Sequence, residues 1–198
     1  MATCLIVVAI TAILITNVAI IISYATPNWV TFERNATAFC DCLDCDCGIW
    51  LYCKGGFLKD GSTENCHWFF SDNFKLELKL PDWFQAVQGL MTCAVVTSFI
   101  ALIIGLFSLC CYCKNCNPHQ AAAGFIGLTF CLLAAAVCLF GVKGHLDYGL
   151  GIFQSDNPAT PQPILSWSFW VAVGAAALAL LSSLLYCCVG QPNDDEYV

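Results

Sequence analysis

The residues with most chemistry to offer are sulfurs. Sixteen of 198 residues are cysteine. Four of them, Cys40, Cys42, Cys45 and Cys47, interleave with Asp41, Asp44 and Asp46 in the run CDCLDCDC. Two more, Cys53 and Cys66, flank a segment containing Gly55, Gly56 and the step Asp60-Gly61, residues that suit tight turns. Thiolates can ligate zinc, but cysteines crowded into a polar segment outside the cell oxidise in pairs. Extra disulfides are therefore expected for Cys40, Cys42, Cys45 and Cys47, and no metal. A Cys-x-Cys pair closes poorly on itself, so their partners should lie elsewhere in the segment or on a neighbouring chain. Cys53 and Cys66 read as the staple of a hairpin, a loop closure that contributes about 3 kcal/mol.

The remaining chemistry is sparse. His67, His119 and His145 are scattered. No His-Glu-x-x-His, phosphate-binding loop or Gly-x-Ser-x-Gly is present, so neither an enzyme nor a cofactor is implied. CKNC at Cys113–Cys116 resembles a redox motif without its usual context. Cys110, Cys111, Cys113, Cys187 and Cys188 sit at the ends of two long apolar runs and suit palmitoylation. A net charge of −7 and a pI of 4.6 argue against nucleic-acid binding, which needs a basic stripe.

The elements that must position these groups are membrane elements. The chain is 59% hydrophobic and 11% charged, with mean hydropathy +0.74, beyond what a water-soluble fold can cover. Four uncharged runs are long enough to cross a bilayer, which takes about 20 apolar residues. They span 4–25, 87–112, 121–142 and 164–189. Polar segments at 26–86, 113–120 and 143–163 separate them, and 190–198 forms an acidic tail. The first run is too long for a signal peptide and fits a retained span. The spans hold no ionisable group for a proton relay or coupled transport.

Orientation does not follow the positive-inside rule, because five of seven basic residues lie in 26–86. The sequon at Asn35, in Asn-Ala-Thr, marks that segment for N-glycosylation and hence the exterior. Its six cysteines agree. Both termini are then cytoplasmic. In KLELKL, Lys75–Leu80, apolar and charged residues alternate, the period of a half-buried strand. GIWLYCK, rich in β-formers, adds another. Trp29 and Trp50 should pack on this sheet near the headgroups. Nine acidic residues against five basic ones in 26–86 would favour cations if the sheet lined a pore, with Asp41, Asp44, Asp46 and Glu64 as candidates. Asn17 reads as an interhelical hydrogen bond, and the small residues Gly124, Gly127, Ala134–Ala136 and Gly174–Ala177 as close-packing positions.

Taken together, Trp29, Gly48, Ile49, Trp50, Cys53 and Cys66 resemble the W-GLW-C-C motif of the claudins, within the group that includes peripheral myelin and epithelial membrane proteins. ATPNW at the end of the first span, FQAVQGLM at Phe84–Met91 and the terminal DDEYV resemble claudin features too. The resemblance covers nearly the whole chain. It implies a membrane, mainly α fold: a left-handed bundle of four transmembrane helices capped by an extracellular antiparallel sheet that both outer loops build. It implies a plasma-membrane protein of cell–cell junctions that self-associates in cis and trans and forms a paracellular barrier or ion-selective channel. The alternatives are an auxiliary or trafficking subunit and an adhesion protein without a pore.

By the same resemblance, Trp68, Phe69 and Phe70 are candidates for cis contact, and Phe153, Asn157 and Pro158 for trans contact. Glu196, Tyr197 and Val198 would form a PDZ-binding tail, held by backbone groups as an added strand. The departures mark a divergent member. Gln88 stands where many claudins carry arginine, and FQSDNP replaces Phe-Tyr-Asn-Pro. The Cys53–Cys66 and Cys66–Pro81 stretches are longer than usual. Lys54 and His67, not acids, follow the paired cysteines, and CDCLDCDC has no counterpart.

Overall fold

The computed structural model describes residues 2–32, 40, 45–55, 65–71, 80–110, 118–152 and 163–189. Four helices carry the chain: α1 (Ala2–Ala25), α2 (Asp82–Cys110), α3 (Pro118–Tyr148) and α4 (Trp167–Val189). Each is long and apolar enough to cross a membrane. A helix satisfies its backbone groups internally, which lipid requires. At the end where α1 stops and α2 begins sits a sheet of β1 (Val30–Phe32), β2 (Cys45–Cys47), β3 (Leu51–Lys54), β4 (Cys66–Trp68) and β5 (Ile164–Leu165). The order is β4-β3-β2-β1-β5, antiparallel throughout. The segment between α1 and α2 supplies β1 to β4, and the segment between α3 and α4 supplies β5.

Element bounds depart from the hydropathy reading for physical reasons. α2 starts at Asp82 rather than Val87. The Pro81 carbonyl accepts from the amides of Phe84 and Gln85, and Asp82 complements the helix dipole. α3 continues past Val142 to Tyr148, because helical hydrogen bonding does not stop where apolar side chains stop. It ends at Gly149, whose φ of 66° turns the chain. Ile164 and Leu165 belong to β5, not to the last span; they pair with Thr31 and Val30. Apolar content measures transfer into lipid, not backbone geometry. The alternation at Lys75–Leu80 lies outside the described residues except for Leu80, which is buried. The turn step Asp60-Gly61 also lies outside them, whereas Gly55 adopts a φ of 81° directly after β3.

The bundle inverts the soluble pattern. On α4, Ala172, Ala175, Ala176, Ala179 and Ser182 are buried while Leu180, Leu181 and Leu184 are exposed. Lipid is as apolar as leucine, so helices associate through small residues that permit close approach. Ala136, Ala175 and Ala176 fit that expectation; Gly124 and Gly174 instead face outward. Asn17 ties α1 to α2: its Nδ2 donates to the Ser98 carbonyl at 3.2 Å, and Ser98 Oγ donates to its Oδ1 at 3.0 Å. Thr97 and Thr129 hydroxyls pair at 2.9 Å between α2 and α3.

Candidate functional site

The sheet is seated on the bundle where α1 ends. The Thr26 amide and Oγ1 both donate to the Ile22 carbonyl, and Pro27, with no N–H to continue the ladder, follows. Trp29 then turns inward and is fully buried. Its indole N–H donates to the Ser23 carbonyl at 2.7 Å. Its ring meets Phe140 of α3 edge-on at 4.9 Å and Phe169 of α4 at 5.8 Å. Trp29 is thus a core pin between sheet and bundle rather than an anchor among headgroups. Ser168, in the first turn of α4, completes the seat. Its carbonyl accepts from Ser23 Oγ, its hydroxyl pairs with Thr26 Oγ1, and its amide donates to the Asn28 carbonyl.

Gly48, Ile49 and Trp50 form the turn between β2 and β3. The Gly48 amide donates to the Leu51 carbonyl at 2.8 Å. A side chain at Gly48 would collide with the Thr26 carbonyl oxygen and lie 2.7 Å from Pro27 Cα, so glycine is required by close approach of two backbones. Ile49 is fully buried. Its carbonyl accepts a 2.8 Å bond from Gln88 Nε2 of α2. Trp50 is half-buried and stacks on Phe70 at 5.2 Å.

Cys53 and Cys66 are directly opposed across β3 and β4 and joined by a disulfide. A second disulfide joins Cys40 to Cys47, and Cys45 is disulfide-bonded as well. The Cys40 partner is therefore not the adjacent Cys42 but lies elsewhere in the segment, at the far end of the CDCLDCDC run. The physical reason is β2: pairing of Cys45–Cys47 between β1 and β3 holds Cys47 within reach of the start of the run. With their sulfurs consumed, Cys40, Cys45 and Cys47 offer no thiolates to a metal. Cys42 lies outside the described residues.

Asp46 was a candidate for charge selectivity, but it is 4% exposed and accepts a 2.7 Å bond from Thr31 Oγ1. On the pleat it shares one sheet face with Thr31 and Cys53, its cross-strand partners. It is a structural carboxylate, not part of a solvated ring. Asp41, Asp44 and Glu64 lie outside the described residues, as do Asn35, Phe153, Asn157, Pro158, Cys111, Cys113 and Glu196–Val198.

The aromatic run after Cys66 divides. Trp68 is 56% exposed and Phe70 54%, whereas Phe69 is 1% exposed. Phe69 stacks on Tyr52 at 5.7 Å and meets Phe84 of α2 edge-on at 6.0 Å. It is core, and only its neighbours are available for contact. At the opposite end of the bundle, Cys187 and Cys188 are free and exposed on the last turn of α4; Cys110 closes α2. Sequence reasoning missed the seating roles of Gln88 and Ser168. Nothing local marks Ser168, and Gln88 stood out in the sequence only as a departure from the resemblance.

This arrangement is a rigid, covalently stapled sheet clamped to four membrane helices. A family model described as PMP-22/EMP/MP20/Claudin tight junction matches residues 14–188, and the chain belongs to that family. Among curated proteins it is 27% identical to claudin-3 of Homo sapiens over 157 residues, covering 76% of this chain and 66% of that protein. The figures for claudin-3 of Canis lupus familiaris are the same. For claudin-3 of Mus musculus the identity is 27% over 154 residues, covering 74% and 64%. The chain thus spans just under two thirds of the length of these relatives.

Proposed function

We propose that this chain is a claudin-like junction protein of the plasma membrane, with its sheet outside the cell and both termini in the cytoplasm. Copies associate side by side in one membrane and head-to-head with copies on the adjoining cell. The assembly controls solute passage between the cells, as a barrier or an ion-selective channel. The observation that carries the reading is one sheet drawn from both inter-helix segments, stapled at its edge strand β4. Rigidity matters because association loses free energy whenever the contacting surface must first be ordered.

Within this reading, Trp68 and Phe70 beside edge strand β4 offer the apolar anchor of a lateral contact, the kind of aromatic pair enriched at interface centres. Phe153, Asn157 and Pro158 supply contact to the opposing cell. Asp41, Asp44 and Glu64 bias passage toward cations. Asn35 carries a glycan. Palmitate on Cys110, Cys111, Cys113, Cys187 or Cys188 and a PDZ domain on Glu196–Val198 hold the assembly in place. The test is expression in cells lacking such junctions, scoring strands by freeze-fracture together with sodium and chloride permeability between cells. Strands with altered permeability support the reading. Surface-expressed protein that forms no strands and leaves permeability unchanged overturns it.

A further inference from the structure

We draw no further inference here: the strongest candidate, the ridge of small side chains at Gly124, Cys131, Ala135 and Cys138 that α3 turns outward from the bundle, carries nothing, because nothing in the structure shows what covers it.

Discussion

Gln88 of α2 donates a 2.8 Å hydrogen bond from Nε2 to the carbonyl of Ile49, joining a membrane helix to the turn that begins β3. Both residues are buried, Gln88 at 4% exposure and Ile49 at 0%. A neutral amide thus anchors the sheet at the position where the resemblance to claudins led one to expect a charge. Gln88 gives the Ile49 carbonyl a donor without bringing a charge to this buried position. Gln88→Leu retains the volume and strands that carbonyl. Its expected cost is about 1–3 kcal/mol, the penalty for an unsatisfied buried polar group. Thermal unfolding in detergent micelles, followed by tryptophan fluorescence, measures it; an unchanged midpoint would show that the bond contributes nothing.

Gly48 is set by Thr26 and Pro27, the residues that follow α1. Gly48→Ala drives a methyl into the Thr26 carbonyl and Pro27 Cα, backbone atoms that cannot rotate away. A loss of about 1–3 kcal/mol is expected, as for overpacking elsewhere. Gly149→Ala is the companion variant. Nothing lies within 4 Å of a methyl there, so only the left-handed backbone (φ 66°) costs, at about 1 kcal/mol. The two variants should separate in urea or heat, with Gly48→Ala the weaker protein.

Phe69 and its neighbours should separate stability from association. Phe69→Ala empties a site packed by Tyr52 and Phe84 and should cost about 3–5 kcal/mol. Trp68→Ser with Phe70→Ser removes exposed rings and should cost no more than about 0.5–1.5 kcal/mol, the worth of the Phe70 stack on Trp50, while lowering self-association in crosslinking at the cell surface. Equal effects of both sets on folding would contradict the assignment.

Asn17 and Ser98 form a reciprocal pair between α1 and α2. A double-mutant cycle of Asn17→Ala and Ser98→Ala should give a coupling near ~0.6 kcal/mol and no more than about 1.7, the range for hydrogen bonds between membrane helices. Additive single effects would mean that each side chain finds another partner in the altered bundle.

The staple is checked most directly by double replacement of Cys53 and Cys66 with serine. The cross-strand link closes thirteen residues of chain. Its removal should cost about 2–5 kcal/mol, seen as a lower unfolding midpoint that no longer responds to added reductant at this pair. A midpoint equal to that of the parent would dismiss the disulfide as a determinant of the sheet.

The sequence by itself determined the four spans, because their uncharged apolar length has only one economical solvent. It determined the presence of a polar layer with cysteines to staple, and the family, through residues spaced too specifically for chance. It did not determine which helix faces are buried. Lipid and helix interface are both apolar, so periodicity is silent there, and only packing assigns Ala172 inward and Leu184 outward. Nor could it rank three consecutive aromatics, since a short turn after β4 sends Phe69 to the core and Trp68 and Phe70 to the surface. The tertiary structure decided that Asp46 is buried against Thr31, that Cys40 pairs with Cys47, and that Gln88 serves Ile49. Each of these joins residues that are not neighbours in sequence, and the free energy of a contact exists only once the fold has brought its two halves together.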